Sequence, residues 1–297
     1  MNVPPRSICF FGTPELSRRY LEVLIDERYE IAAVVTRPDA KRGRGGALVP
    51  SPVAAYARSQ GLMVLTSPDD AADVDYDLGV VIAYGRILKR PVISRRPHVN
   101  VHYSLLPRYR GAAPMERAIL DGVDDTGVCL IDVAEGMDEG GIYAQRECSI
   151  KDLTLSETAD RLTDAGISLL LAQLGRQDSW IGTARSQQGN PTYASKIAPD
   201  ELRLDFGLSA VEVHRVIRLE RAYTFAEGKR LRIERGRVHP SSSHAPPGTL
   251  VAVGDEWGIA CGEGVVIIDS VRPEGKGSIA FPSYLRGRRD PQTIHFG

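Results

Sequence analysis

The chain has 297 residues, of which 42% are hydrophobic and 25% charged, with a formal net charge of −1. This composition is typical of a soluble globular protein long enough for two domains. The near-neutral charge excludes a chain that is basic over its whole surface, although local basic patches remain compatible with it. No apolar run approaches the roughly 18 residues of a membrane helix. Four scattered cysteines without a Cys-x-x-Cys pair indicate reduced thiols and no metal site, so we expect a cytoplasmic protein.

The first half of the chain predicts strands that alternate with helices. An apolar run at 7–11 ends in a Gly-Thr-Pro turn, and apolar residues then recur at helical spacing over 15–26. Continuous apolar strands between helices indicate a doubly wound, mostly parallel α/β sheet that is covered on both faces. Further strands are predicted at 31–35, 63–65, 78–83, 98–102 and 127–133, and further helices at 53–60 and 153–174.

After about residue 175 the chain becomes polar and loses its periodicity, which is typical of a linker. A short helix is predicted at 210–219, followed by short strand candidates between glycine and proline turns, which favour a small barrel or sandwich. We assign a catalytic domain to 1–184, a linker to 185–204 and a C-terminal β-barrel-like domain to 205–297.

Three polar side chains suggest acyl transfer. Asn100 and His102 lie two residues apart at the end of an apolar run, so they face the same side of the predicted strand. Asp138 lies in a glycine-flanked turn after a second apolar run. An amide and an imidazole can donate hydrogen bonds to an oxyanion, and a carboxylate can orient the imidazole and accept a proton. Taken singly, each also has a structural interpretation, as a hydrogen-bonded histidine, a turn asparagine or a loop cap.

The same block carries a family resemblance. Asn-x-His-x-Ser-Leu-Leu-Pro-x-x-Arg-Gly, followed by Met-Asp-x-Gly, resembles the signature of the 10-formyltetrahydrofolate-dependent formyltransferases. The Gly-Ala-Ala-Pro continuation at 111–114 resembles the methionyl-tRNA formyltransferase branch. The resemblance implies an OB-like C-terminal barrel, the catalytic trio Asn100, His102 and Asp138, and formyl transfer without a metal. Further segments match in order at 10–14, 36–39, 43–45, 50–53, 83–85, 222–225 and 228–231.

The resemblance also implies two places that contact the folate donor. One follows the catalytic strand, and the other is an Arg-Ile-Leu loop like that of the pterin pocket in glycinamide-ribonucleotide formyltransferases. That loop follows the 78–83 strand, at the edge where open α/β sheets bind ligands. The Gly-Thr-Pro turn at 12–14 lacks a Gly-x-Gly-x-x-Gly pattern and does not favour a dinucleotide. The expected folate contacts are Arg86, Ile87, Leu88, Ser104, Leu105, Leu106 and Pro107.

Two basic segments suggest an RNA acceptor. The loop at 37–44 resembles the one that reaches the tRNA acceptor stem in the methionyl-tRNA formyltransferases, and its alternative interpretation is a solvated loop. Residues 215–237 contain eight Lys/Arg and three Glu, which suits either a tRNA backbone or a solvated face. The candidate tRNA contacts in the loop are Arg37, Lys41, Arg42 and Arg44.

The expected acceptor is therefore methionyl-initiator-tRNA, and the expected enzyme is a monomer without a membrane partner. The alternative acceptor is a small amine, such as an amino sugar nucleotide or an ornithine-type metabolite. A third hypothesis is a catalytically silent tRNA- or folate-binding protein, against which the intact trio argues. Two departures from the family pattern concern the acceptor. Tyr103 stands where the family commonly has glycine, and its ring is expected to crowd the acceptor side. The segment just before Ala222 is shorter than the corresponding segment of the family.

Overall fold

The computed structural model describes residues 5–42, 46–176, 180–240, 243–288 and 291–297. The chain forms two compact units, the first made of 1–114, 125–149 and 159–194, the second of 115–124, 150–158 and 195–297. The helices are α1 (Glu15–Asp26), α2 (Pro52–Ser59), α3 (Arg90–Ile93), α4 (Pro114–Asp121), α5 (Leu155–Leu174), α6 (Ala210–Ile217) and α7 (Phe281–Arg286), with 3-10 turns at Asp69–Asp73, Asp200–Leu202 and Pro291–Thr293. The strands are β1 (Ser7–Gly12), β2 (Glu30–Val35), β3 (Ala40–Arg42), β4 (Ala47–Val49), β5 (Val64–Leu65), β6 (Leu78–Ile82), β7 (His98–His102), β8 (Arg110–Gly111), β9 (Asp125–Asp132), β10 (Ile142–Ser149), β11 (Tyr193–Ala194), β12 (Tyr223–Ala226), β13 (Lys229–His239), β14 (Leu250–Val253), β15 (Glu256–Ala260), β16 (Val265–Pro273) and β17 (Ile279–Ala280).

A seven-stranded sheet in the order β10-β9-β7-β6-β1-β2-β5 forms the first unit. The five strands from β7 to β5 are parallel, and β9 and β10 are antiparallel at one edge. Parallel strands buried on both faces are continuously apolar, as β1 is from Ile8 to Phe11. The predicted mostly parallel α/β class is confirmed.

Helices cover both faces of this sheet. On one face, α1 buries Tyr20 and Leu24. Gly166 of α5 lies so close to the sheet there that a Cβ would stand 3.0 Å from Val101 Cγ1. Because side chains alternate along a strand, the neighbours of Val101 in β7 point to the opposite face. The core on that opposite face includes Cys9, Phe11, Ala33, Val35, Ala71, Tyr76, Tyr84, Leu88 and Val92.

The predicted polar loop after β2 contains a short antiparallel hairpin of β3 and β4. Two contacts fix its base. Both terminal nitrogens of the Arg58 guanidinium donate to the Asp39 carboxylate, at 2.9 and 3.0 Å, and the buried hydroxyls of Thr36 and Ser51 lie 2.8 Å apart. Ser51 also caps α2 by accepting from the backbone N–H of Ala54. The hairpin is therefore anchored at both ends.

The second unit contains a six-stranded antiparallel sheet in the order β12-β13-β16-β15-β14, with β17 paired to β16. The register of β13 against β16 shifts twice around Arg235, and such bulges increase the bend and twist of a strand. The sheet is curled into a half-barrel, consistent with the predicted OB-like domain. A reciprocal capping box of Ser209 and Glu212 starts α6. Helix α6 buries Ala210, Val213 and Ile217.

No helix in the described part of the chain combines the length and the apolar character needed to cross a membrane. Across the same described ranges, no group of three or more His, Cys, Asp and Glu side chains could hold a metal ion.

Candidate active site

Strand β7 presents a row of polar side chains on one face of the first sheet. His98, Asn100 and His102 occupy alternate positions and so share that face. His98 is a core residue, because its Nε2 lies 3.1 Å from the Tyr76 hydroxyl and its Nδ1 donates to the Arg96 carbonyl at 2.9 Å. Burial lowers the pKa of His98 below its ordinary value. Of the three polar side chains on this face of β7, Asn100 and His102 are therefore the candidates for catalysis.

The loop between β9 and β10 brings Asp138 onto the same face. Asp138 Oδ1 accepts from Asn100 Nδ2 at 3.4 Å, and Oδ2 lies 3.5 Å from His102 Nδ1. Oδ2 also accepts from the Gly111 backbone N–H at 2.9 Å. Asp138 has a φ of 55°, in the left-handed region that aspartate tolerates better than most side chains. The structure therefore brings the three predicted residues together around one carboxylate.

The hydrogen bonds of His102 define which ring nitrogen faces Asp138. Nε2 lies 2.9 Å from the carbonyl oxygen of Tyr109. A carbonyl only accepts, so Nε2 carries a hydrogen. Nδ1 is then the nitrogen that addresses Asp138 and any reacting group. The His102 and Asp138 side chains are only 6% and 15% exposed, so their electrostatic interaction is weakly screened.

The segment expected to be a linker supplies a residue that the sequence did not reveal. Gln187 Nε2 donates to the carbonyls of Asp138 at 2.7 Å and Gly140 at 2.8 Å, and its Oε1 accepts from the guanidinium of Arg110 at 2.8 Å. Further along, Thr192 Oγ1 accepts from the Tyr109 backbone N–H at 2.8 Å. These bonds hold the backbone on both sides of the site. A polar, aperiodic segment gives no sequence signal of such a role.

Comparison with known proteins identifies the family of the chain. Residues 6–174 match the model "Formyl transferase" and residues 196–289 match "Formyl transferase, C-terminal domain". The chain is 36% identical to a methionyl-tRNA formyltransferase of Heliobacterium modesticaldum, over 98% of this chain and 99% of that one. It is 38% identical to that of Symbiobacterium thermophilum, over 94% and 92%. The chain belongs to the methionyl-tRNA formyltransferase family.

Among solved structures, the chain is similar to WlaRD, a sugar 3N-formyl transferase crystallised in the presence of dTDP and 5-N-formyl-THF. The TM-score is 0.68 at 18% identity, over 91% of this chain and 98% of that chain. At this identity the likeness shows a shared fold.

The two candidate folate segments leave the sheet at the same edge. Strands β6 and β7 are adjacent and parallel, so the Arg86–Leu88 and Ser104–Pro107 segments both follow carboxyl ends. In the first segment Ile87 is 62% exposed, whereas Leu88 is buried in the core. The backbone N–H groups of residues 86–88 donate to no acceptor among the described residues. An exposed apolar side chain beside free backbone donors suits a flat heterocycle such as a pterin.

The second folate segment offers mainly its backbone. Ser104 is fully buried and its hydroxyl donates to the Arg108 carbonyl at 2.6 Å. Leu106 packs against Cys129 and Ile131. Leu105 and Pro107 are partly exposed. The sequence did not distinguish the side chains that the core uses from those that a ligand can reach.

The candidate tRNA loop is only partly described. Arg37 is exposed and donates to the Gly85 carbonyl at 3.1 Å, which places it at the turn after β6. Lys41 lies exposed on β3. The side chain of Arg42 and all of Arg44 lie outside the described residues.

The expectation that Tyr103 crowds the acceptor side is wrong. Tyr103 directly follows the last residue of β7 and its ring is buried, with its hydroxyl donating to that of Tyr20 on α1 at 3.3 Å. Burial raises the pKa of Tyr103 to about 12, so the phenol stays neutral. The alternation of side chains along the chain turns this ring away from the trio.

The short segment before Ala222 forms a tight turn within the second unit. Glu220 has a φ of 59°, and Leu219 and Ala222 are fully buried. The largely buried guanidinium of Arg218 donates to the carbonyls of Ile150 and Leu153, each at 2.7 Å. The segment therefore serves packing in this unit.

Replacing Gln187 by leucine should lower kcat by about tenfold. The change removes two hydrogen bonds to the Asp138 loop, each contributing about 1 kcal/mol, and a loss near 1.4 kcal/mol in the transition state corresponds to that factor. Steady-state formyl transfer at saturating donor and acceptor is the measurement. Gln188→Leu is the matched control, because the exposed Gln188 bonds only the Ser186 carbonyl among the residues that the structure describes. Equal rates for the two variants would contradict the role of Gln187.

Proposed function

We propose that this chain transfers the formyl group of 10-formyltetrahydrofolate to the amino group of methionyl-initiator-tRNA. One observation carries the proposal. Asn100, His102 and Asp138 converge on one face of β7 in a chain that matches methionyl-tRNA formyltransferases over nearly their whole length. The folate donor supplies a formyl group on a nitrogen that can leave, and the side chains stabilise charge and move protons.

The geometry supports a division of work among the three residues. As the neutral amine attacks the formyl carbon, the carbonyl oxygen becomes an oxyanion and the amine nitrogen becomes positively charged. Asn100 donates an N–H to the oxyanion, and His102 donates from Nδ1 when that nitrogen also carries a hydrogen. Asp138 accepts the proton of the amine, directly or through water. When the bond to the donor nitrogen breaks, a proton returns to that nitrogen, and formyl amide and tetrahydrofolate are released.

The donor has a suitable place at the carboxyl edge of β6 and β7. Residues 86–88 would hold the pterin with free backbone donors and the exposed Ile87 side chain. The backbone of the Ser104–Pro107 segment, directly after His102, would lie beside the formyl group. The reacting carbon would then be within reach of the trio.

A small amine remains the alternative acceptor, since the fold is shared with a sugar 3N-formyl transferase. The second unit favours tRNA through a cluster of two arginines and two aromatic rings. The guanidinium of Arg203 lies 5.5 Å from the ring centre of Phe225, and that of Arg230 lies 3.8 Å from the ring centre of Tyr223. Both arginines are exposed, and neither forms an ion pair in the described ranges. Stacked, unpaired guanidinium groups keep their N–H donors free for phosphates.

Replacing Arg203 and Arg230 by alanine should weaken tRNA use and lower the slope of log KM against log salt by about 1 for each phosphate that the variant no longer binds. KM for charged tRNA at several salt concentrations is the measurement. Arg237→Ala is the control, because it removes a positive charge that is already paired with Glu256 and Asp269. An unchanged slope in the double variant would remove the cluster from the tRNA site.

The proposed function is tested by offering the enzyme a labelled formyl donor with charged initiator tRNA and, separately, with a panel of small amines. Formylation of the tRNA is expected. Formylation of a small amine with none of the tRNA would replace the proposal with its alternative, and binding of folate or tRNA without transfer would favour a silent binding protein.

A further inference from the structure

An aromatic side chain lies exposed near the loop between β9 and β10 that carries Asp138. Tyr193 of β11 is 66% exposed and is the only aromatic residue in the described ranges that is more than half exposed. Single exposed apolar residues are ordinary on protein surfaces. Tyr193 differs from such residues because it lies close to Asn100, His102 and Asp138.

The pairing of β11 with β8 fixes where Tyr193 points. Tyr193 is paired with Arg110, and Ala194 with Gly111, and paired residues project to the same side of a ladder. The Arg110 side chain reaches Gln187 and Glu139 in and beside the Asp138 loop. The Tyr193 ring therefore emerges on the side of the ladder that carries this loop.

The distance to the reacting groups is short. Gly111 N donates to Asp138 Oδ2 at 2.9 Å, and Gly111 follows Arg110 directly. Strand spacing and backbone dimensions then place the Cα of Tyr193 within about 10 Å of the Asp138 carboxylate. The Arg110 guanidinium, paired with Glu139, is itself only 12% exposed, so it leaves the tyrosine ring open to a ligand.

The acceptor has a base at the matching distance. In an aminoacyl-tRNA the amino acid is esterified to the ribose of the 3′-terminal adenosine, so few bonds separate the reacting nitrogen from the purine. About seven bonds of roughly 1.5 Å each join the amino nitrogen to N9 of the purine, so the two atoms lie at most roughly 10 Å apart. A nucleotide sugar instead places its base beyond a sugar and a diphosphate.

We propose that the ring of Tyr193 is the platform on which the 3′-terminal base of the aminoacyl-tRNA stacks while its amino group reacts. This inference rests on the proposed function and identifies a specificity residue for its acceptor. Stacking on an aromatic ring is a common way for proteins to hold an unpaired base. It would orient the amine toward the trio without a contact to the amino acid side chain.

The test compares the full chain with Tyr193→Ala and Tyr193→Trp. With charged initiator tRNA, Tyr193→Ala should raise KM by about 10- to 100-fold, the range expected when one base no longer stacks, with little change in kcat. Tyr193→Trp should keep the wild-type KM. Methionine methyl ester, an acceptor without a base, should react equally with all three proteins. A charged tRNA carrying 2-aminopurine in place of the terminal adenine should lose fluorescence on binding to wild type and Tyr193→Trp, but not to Tyr193→Ala.

The control is Tyr29→Ala, which should behave as wild type. Tyr29 is partly exposed and directly precedes β2, at the amino ends of the parallel strands and therefore away from the trio. An unchanged KM and full quenching in Tyr193→Ala would overturn the inference and leave the proposed function intact. A slower reaction of Tyr193→Ala with the methyl ester would show a structural role and overturn it as well. Failure of the wild type to formylate tRNA would remove the proposed function first.

Discussion

Alanine at Asn100, His102 or Asp138 should each lower kcat by a factor of about 100 or more, on the order of 3 kcal/mol of transition-state stabilisation. In the proposed mechanism Asn100 and His102 donate to the developing oxyanion, and Asp138, whose two carboxylate oxygens contact these side chains, accepts the amine proton. Because Asn100 and His102 both contact the carboxylate of Asp138 and the three act together, the double variants should lose less than the product of the single effects. Single-turnover formyl transfer with preloaded donor measures the chemical step.

Glu139→Gln is the control for this series. Its carboxylate is adjacent in sequence to Asp138, about half exposed and paired with Arg110 at 3.3 Å, so its removal should change kcat less than about threefold, as expected for a solvent-screened ion pair. Wild-type rates in all three alanine variants, with unchanged thermal unfolding, would contradict the assigned mechanism.

Replacing Gly140 by alanine should destabilise the first unit by about 1–3 kcal/mol and lower kcat by up to about 100-fold. A Cβ at this position would stand 1.7 Å from the backbone carbonyl oxygen of Asp132, and a backbone neighbour cannot rotate away. The loop must shift, and Asp138 moves with it. The midpoint temperature of thermal unfolding should fall by several degrees, because each kcal/mol of lost stability lowers it by about 2–4 °C in a unit of this size.

Gly136→Ala separates this effect from a general intolerance of the loop. The three atoms nearest to a Cβ at Gly136 would all belong to the Glu139 side chain, which can turn into solvent. This variant should retain near-wild-type stability and kcat. A Gly140→Ala enzyme as active and stable as Gly136→Ala would show that the loop position does not determine the rate.

The parallel sheet was predictable because its strands are buried on both faces and therefore continuously apolar, as β1 and β6 are. Strand β10 was missed for the opposite reason. It is an antiparallel edge strand with polar, exposed side chains such as Gln145 and Arg146, so its sequence carries neither an apolar run nor a clear alternation.

The candidate site was predictable where residues suited to acyl transfer also follow the two-residue alternation of side chains along a strand. Spacing alone put Asn100 and His102 on one face, but spacing could not show that Gln187, almost fifty residues beyond Asp138, holds the loop. The same period, applied one residue further, would have turned Tyr103 away from the acceptor. The family pattern suggested a crowding ring, whereas the contact with Tyr20 places it in the core.

The left-handed backbone at Asp138 restricts how the enzyme can change over evolutionary time. Branched and bulky side chains are strained in that conformation, whereas aspartate and asparagine adopt it comparatively easily. These two amino acids are also one nucleotide apart in the genetic code. A descendant could therefore exchange its acid for the neutral amide without rebuilding the loop, and a ligand-binding protein without catalysis lies a single point mutation away.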